Sequence, residues 1–424
     1  MKKYIDTLLR CFMSVCIALA AANTCHAQTD VESIIISELH DEGFEDIRLA
    51  IASDTLFAQF EDRAHRGTFR GAATAIRLTA QRHEELRHFQ LVLTDYKMPQ
   101  LIVRASKREG IWDVRVDRDM HDVVSMLSTY NAHYPSTARL DITVYPMISL
   151  VNNKLDHLFD FALRIAPAFA MTLWRGSRLT VQPIFPIVHN LGDDDRKRFI
   201  QLGCVNLSQQ IVSTKHWNVS AAGGMFHPET YGVQAKVAYH VTRTLDLYVD
   251  GGITGADFYS RGEGFGFTNL DRLNVMAGLN WYEPRTRLQL EVAAGQFLFG
   301  DRGGRADLTR HFGEYAIGIY GIYTSHETNA GFHFAIPMGG KRQKRNGAVR
   351  LRLPEYFDYE YSMVSWFRYY LKRMGQSYRT QPDQNHAARF WQPTFIEEYV
   401  RRTLNEGFDL RATDKPTQTD KNKH

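Results

Sequence analysis

Residues 231–254 limit what this chain can fold into more than any other stretch, because they carry two amphipathic strands around one turn. Tyr231, Val233, Ala235, Val237, Tyr239 and Val241 recur at every second position, with Gly232, Gln234, Lys236, Ala238 and His240 between them. Thr242, Arg243 and Thr244 turn the chain. Leu245, Leu247, Val249 and Ile253 then continue the apolar side, with Asp246, Tyr248, Asp250 and Thr254 opposite. A period of two sends successive side chains to opposite faces, so each strand has one apolar and one wet face. Two architectures satisfy this. One is a soluble antiparallel sheet laid on a core; the other is a transmembrane β-barrel with lipid outside and a polar interior. The choice rests on whether the pattern repeats and where the chain is sent.

The N-terminus supplies an address. Lys2, Lys3 and Arg10 precede an apolar run over 11–22, and Cys25, His26 and Ala27 surround a cleavage point before Gln28. This predicts a secretory signal peptide over 1–27. Thr24 before Cys25 is a poor residue for lipoprotein processing, so a soluble mature N-terminus is expected. Cys11, Cys16 and Cys25 leave with the signal, and Cys204 alone remains. That excludes a disulfide framework and a cysteine metal site, and it suits a barrel that must stay unfolded in transit. Beyond the signal no run reaches the ~18–20 apolar residues of a membrane helix; the best candidate, 161–174, is short and holds Arg164 and Pro167. The exported chain therefore stays soluble or crosses a membrane as strands. A net charge of +4 over 424 residues is too diffuse for a nucleic-acid partner.

Residues 28–125 read as a small α/β domain. Helices are expected over 31–39 and 68–86, the second with Phe69, Ala72, Ala73, Ile76 and Ala80 at helical spacing. Strands are expected at 47–52, 55–61, 89–94, 101–105 and 112–116. From about residue 137 helical spacing nearly vanishes, and amphipathic strands succeed one another over 137–362. Leu273, Val275, Ala277, Leu279 and Trp281 alternate with Arg272, Asn274, Gly278, Asn280 and Tyr282; Leu288, Leu290 and Val292 alternate with Arg287, Gln289 and Glu291. Short connections (174–177, 214–216, 242–244, 283–286, 313–314) interleave with mostly longer ones (189–197, 255–270, 299–305). That is the habit of outer-membrane barrels, with short periplasmic turns and long outer loops. The expected fold is mainly β: an antiparallel transmembrane β-barrel of about 12–14 strands, preceded by a periplasmic α/β domain. Residues 363–424 form an Arg-, Tyr- and Trp-rich segment with a helix over 393–404 and a polar, disordered tail.

The conspicuous motifs dissolve on inspection. In His83-Glu84-Glu85-Leu86-Arg87-His88, Arg87 stands where a zinc protease needs its second histidine, so this reads as a surface helix end. Gly262-Glu263-Gly264-Phe265-Gly266 lacks the strand and helix that flank a phosphate loop, and Asp193-Asp194-Asp195 lacks the further oxygens of a calcium loop. Residues 341–345 make a basic turn that suits anionic lipid or an acidic glycan only secondarily. No nucleophile–base pair stands out among 17 histidines. No catalytic residue, metal or cofactor is expected. The candidate contact set is the wet face itself: Gln234, Lys236, His240, Asp246, Tyr248, Asp250, Arg272, Asn274, Asn280, Arg287, Gln289 and Glu291. Such groups cannot face hydrocarbon, so they line water or one another. The interior is then either a hydrated conduit whose amides and tyrosines suit sugar hydroxyls, or a plugged one with inward charges paired across strands, Lys236 with Asp246 for example.

Several blocks add a resemblance. Asp54-Thr-Leu-Phe-Ala-Gln-Phe-Glu-Asp-Arg, the helix at 71–77, Phe89-Gln-Leu-Val-Leu-Thr and Met98-Pro-Gln-Leu resemble the N-terminal repeat of the YjbH-type exopolysaccharide biosynthesis proteins. Tyr231-Gly-Val-Gln-Ala-Lys-Val-Ala-Tyr with 245–250 is similar to that family's barrel hairpin, as are Gly295-Gln-Phe-Leu-Phe-Gly-Asp, Asp307-Leu-Thr-Arg-His-Phe-Gly and Gly331-Phe-His-Phe-Ala-Ile-Pro. The resemblance covers most of 45–360. It implies a Gram-negative outer-membrane barrel, with its N-terminal domain in the periplasm, that serves export of exopolysaccharide or capsular polysaccharide. The implied partners are outer-membrane lipid, the extracellular polysaccharide, and periplasmic or inner-membrane export proteins. Larger members carry the module-plus-barrel unit twice and this chain once, with a C-terminal segment foreign to the family. Two alternatives come from other classes: a barrel enzyme that modifies lipid or glycan, and a plugged structural or adhesive barrel.

Overall fold

The computed structural model describes residues 30–151, 160–191, 196–260, 264–340, 342–363, 372–382 and 390–406. The signal peptide, the triple aspartate at 193–195 and the polar tail lie outside them. The N-terminal part is a five-stranded sheet in the order β1-β2-β3-β4-β5: Phe44–Ala52, Thr55–Asp62, His88–Asp95, Met98–Arg108 and Ile111–Asp117. Only β2 and β3 run parallel, and the crossover that a parallel pair requires is α2, Thr68–Arg82. Its Phe69, Ala72, Ala73 and Ile76 are buried, as the helical spacing predicts. α2 stops at Arg82, short of the expected 86. The His83 N–H bonds back to Thr79 O, and the His83 ring lies 3.3 Å from Glu38 of α1, Asp30–Glu42.

One face of this sheet is covered by α1, α2 and a helix from the far end of the chain, α4, Pro393–Glu406. Phe395, Ile396, Tyr399 and Val400 of α4 are buried in the same core as Phe69, whose ring lies 5.8 Å from Phe395 and 5.2 Å from Tyr399. The other face is covered by α3, His121–Leu127, through Val123 and Leu127 against Ala50, Val92 and Ile102.

Among the described residues, the strands that follow form one large sheet, antiparallel at all but one pairing. Its strands are β6 (Leu140–Val151), β7 (Asp160–Met171), β8 (Ser177–His189), β9 (Gln201–Ser213), β10 (Trp217–Phe226), β11 (Thr230–His240) and β12 (Leu245–Ser260). They continue as β14 (Arg272–Glu283), β15 (Leu288–Gln296), β16 (Arg302–Phe312), β17 (Tyr315–Thr324) and β18 (Glu327–Pro337). A short β13, Gly264–Phe267, pairs only with the end of β12, so part of the expected 255–270 loop is a hairpin. The chain then splits into β19, Val349–Arg352, and β20, Tyr356–Ser362. β20 closes one end of the strand order against β18, and β19 closes the other, parallel to β6. The two ends of the sheet are therefore neighbours in sequence, joined by residues 353–355. Strands alternate in direction from β6, so the short connections and the α/β part lie at one end of the sheet and residue 363 leaves at the other.

Buried ion pairs fix the α/β part to the short-turn end. Glu314, in the turn between β16 and β17, takes Arg66 at 2.7 Å and Arg70 at 2.8 Å. Glu45 takes Arg345 at 2.6 Å and Arg350 at 2.9 Å, and Arg345 also reaches Asp141 at 2.9 Å. The basic turn around residue 343 thus commits two arginines to this junction, Arg345 and Arg342, the latter paired to Glu42. Burial by itself would raise the Glu61 carboxyl, but Arg63, Ser136 and the Tyr96 amide hold it below its usual value. Burial raises Asp46, with Lys97 at 3.2 Å opposing.

Candidate functional site

The inner face of the large sheet borders two cavities, of about 540 Å3 next to the α/β part and about 550 Å3 farther up. Both touch Lys236, Glu291 and Asp307. Alternation accounts for the division: outward Val249, Ile317 and Ile319 are at least half exposed, while their neighbours point into the chamber.

Ten of the twelve wet-face residues line these cavities. Gln234, His240, Asp246, Asn280 and Gln289 border the lower one; Tyr248, Asp250 and Asn274 border the upper; Lys236 and Glu291 border both. They hold one another across strands. Gln234 Nε2 donates to Asp250 at 2.9 Å, His240 Nδ1 meets Asp246 at 2.6 Å, Tyr248 donates to Glu291 at 2.7 Å, and Gln289 Nε2 donates to Asn280 at 3.0 Å. The expected partnership of Lys236 with Asp246 does not form. The register sets Lys236 opposite Asp250 and His240 opposite Asp246, and the Lys236 ammonium lies 4.6 Å from the Tyr248 ring centre.

Two residues of the set border neither cavity. Arg287 sits in the turn before β15 and pairs with Glu398 of α4 at 2.9 Å, so it fastens the α/β part instead. Arg272, the first residue of β14, stacks its guanidinium 5.0 Å from the Phe299 ring centre among the far connections. Both stand at strand ends, where alternation no longer fixes the side a residue faces.

The chamber also uses residues that the wet-face set missed. Arg305 pairs with Asp307 and Glu360, each at 3.1 Å. Asp307 also takes the His333 ring at 2.9 Å and the Thr309 hydroxyl at 2.9 Å. The alternation of Arg305, Asp307, Thr309 and His311 was the available signal, obscured by the expected 299–305 loop; β16 begins at Arg302. Thr309 and Asp307 both approach the same His333 nitrogen, Nε2. A nucleophilic relay needs them on opposite ring nitrogens, so this cluster is a buried ion network and not a triad.

The floor comes from the α/β part. Tyr96, Gln100 and Arg118 border the lower cavity; Gln100 donates to Gln210 at 2.7 Å, and Arg118 stands 3.6 Å from Asp246. Burial pushes the Arg118 guanidinium below its usual pKa, and Asp246 opposes that. Nine amide side chains line this cavity, beside Tyr96, Phe390 and Trp391. Arg118, Arg178 and Lys236 are set against Asp95, Asp246, Glu291 and Asp307, so hydrogen bonding outweighs net charge.

A last occupant is the chain itself. After β20 leaves the far end, residues 372–382 lie inside the chamber. The Gly375 N–H bonds to Asp301 at 2.8 Å and the Leu298 N–H to Gln376 O at 2.9 Å, both at far-end connections. Arg379 bridges His227 in the far connection between β10 and β11; lower down, Asn206 Nδ2 reaches Thr380 O at 2.6 Å, and Arg178 reaches Gln381 at 2.7 Å near the floor. Phe390 then stacks on His311 at 4.5 Å, just before α4. Gly252 makes room for this segment: a Cβ there would stand 2.4 Å from the Tyr378 hydroxyl. Among the described residues no cluster of three or more His, Cys, Asp or Glu could hold a metal ion. Compared with protein-family models, with curated proteins and with solved structures, the chain matches none.

Proposed function

We propose that the large sheet closes into a thirteen-stranded barrel (twelve strands from β6 to β18 with β13 set aside, plus the β19–β20 segment) that spans an outer membrane. In this reading the protein takes part, without covalent chemistry, in export of an extracellular polysaccharide. The observation that carries the membrane placement is the outer face. Ile317, Ile319, Val249, Ile253 and Leu351 are exposed there, far more apolar surface than a soluble protein leaves uncovered. Trp174, Trp217, Tyr239, Trp281 and Tyr315 are exposed beside the short turns, where the aromatic girdle of a membrane barrel sits. Polysaccharide as the cargo is supported by the amide- and aromatic-lined lower cavity, whose many weak contacts suit hydroxyl groups and allow release, and by the resemblance to the YjbH-type proteins. The α/β part would face the periplasm and meet the export partners.

The inner segment supports a closed resting state, so the conduit opens only when that segment moves. Membrane fractionation, paired with polysaccharide secretion by a deletion strain, tests the proposal. The expected result is heat-modifiable protein in the outer-membrane fraction and a secretion defect that the intact gene repairs. Protein in the aqueous fraction, or normal secretion without it, overturns the reading.

A further inference from the structure

The lower cavity, at about 540 Å3, is of the size that takes a small ligand, and its charges are engaged before any ligand arrives. Of the acids in its lining, Asp95 is held by Arg63 at 2.9 Å, Asp307 by Arg305 at 3.1 Å, and Asp246 by His240 at 2.6 Å with Arg118 at 3.6 Å. Glu291 accepts from the Tyr248 hydroxyl at 2.7 Å, and the Lys236 ammonium lies 4.6 Å from the centre of the same ring. The remaining cation, Arg178, donates to Gln381 at 2.7 Å. An ionised sugar entering here would give up its water and find every countercharge in the lining already committed, and burial on those terms is costly.

What the lining leaves open is neutral. On β10, Asn218 and Ser220 border the cavity, and their side chains make no hydrogen bond among the described residues. Ser220 stands opposite Gln210 of β9 and Lys236 of β11, and Asn218 opposite Ala238 of β11. Residues paired in this way face the same side of a sheet, so Gln210, Ser220 and Lys236 form a polar row while Ala238 leaves room beside Asn218. Asn280 accepts from Gln289 at 3.0 Å through Oδ1, which leaves its two N–H donors for a ligand. The rings of the lining divide in the same way. Tyr96 lies under Arg63 at 3.6 Å and Phe390 on His311 at 4.5 Å. Trp391 is partly buried against the floor core and borders the cavity, with no ring or cation stacked on it among the described residues. A pyranose matches this division, with hydroxyls around its edge for the amides and an apolar C–H face for a flat indole.

We propose that the lower cavity binds an uncharged oligosaccharide, with Asn218, Ser220 and Asn280 on its hydroxyls and Trp391 against a ring face. The inference rests on the polysaccharide reading above and narrows that cargo to neutral glycans. It is tested by calorimetric titration of the full mature protein in detergent with neutral hexasaccharides (maltohexaose and cellohexaose), with acidic hexagalacturonate and with the basic glucosamine hexamer. The expected result is binding of a neutral glucan, with both charged sugars about tenfold weaker or worse. Asn218→Ala/Ser220→Ala should lower the neutral affinity several-fold. Neither side chain leaves a partner stranded when removed, and heat-modifiable migration checks that the variant is folded; Asn218→Ala alone carries the test if the double variant is not. A charged hexasaccharide that binds as tightly as the neutral ones overturns the assignment to uncharged glycans. Binding that the variants leave unchanged, or no binding by any of the four sugars, overturns the site. A protein that binds none of them, yet lies in the outer membrane and is needed for secretion, loses this site and keeps the export reading. One that binds a neutral glucan but stays in the aqueous fraction keeps the site and loses the membrane reading.

Discussion

Glu61 is fully buried beside Arg63, 2.6 Å away, and also accepts from Ser136 and the Tyr96 amide. Removing one member of a buried pair strands the other, at a cost of about 3–5 kcal/mol. Glu61→Gln should lower unfolding stability by that order, measured by urea titration of refolded protein. The pH dependence has a definite sign. A carboxyl held below its usual pKa contributes stability that is complete above the unfolded-state pKa and is lost as pH falls through the folded-state one. The variant should therefore lose part of the wild type's acid sensitivity below the ordinary glutamate pKa. A variant as stable as wild type at neutral pH would overturn this account of the junction. The Ser136 contact was invisible in the sequence, because Glu61 and Ser136 are 75 residues apart and no local pattern ties them.

At the scale of elements, period-two alternation was enough to find the strands and the side each residue faces. It placed β11 to within one residue at each end and the start of β12 to the residue, although β12 runs on to Ser260, six residues past the expected end, and it brought ten of twelve wet-face positions to the cavities. It failed at Arg302-Gly-Gly-Arg, where glycines leave no side chains to alternate, and at strand ends such as Arg272 and Arg287. The four-residue β19 is shorter than any pattern can register. Helix α4 was legible as a helix, but its location was not: amphipathicity says that a face is buried and not which core buries it. Phe395 and Tyr399 place it against α2, and Arg243–Glu397 and Arg287–Glu398 tie it to two turns. Tyr399→Ala should cost about 3–5 kcal/mol, as aromatic truncations in cores do, and should speed limited proteolysis within 390–406. Unchanged cleavage would mean that α4 holds without its aromatic anchor.

For the whole molecule, the proposed conduit would open only when the inner segment moves. Asp301 fixes its upper end by accepting from Gly375 and, at 2.6 Å, from Thr324. In planar bilayers the wild type should be closed most of the time. Asp301→Ala should increase open time several-fold, since a lost buried hydrogen bond is worth about 1–3 kcal/mol. Identical traces would show that the segment is held from below.

The same-direction pairing of β19 with β6 carries a last consequence, one of parity. A sheet that begins at the floor and ends on a strand parallel to its first has an odd number of crossings, so its chain emerges at the roof. The helix that completes the floor domain, however, comes after the final strand. From roof to floor there are two paths, outside or inside; in the membrane setting proposed above, the outside path would run through hydrocarbon, which tolerates no irregular backbone, and residues 372–382 lie inside. One strand more or fewer would have returned the chain to the floor unaided and left the chamber empty. The stopper and the odd strand are thus one topological fact, and a homologue that gains or loses a strand should lose its stopper as well.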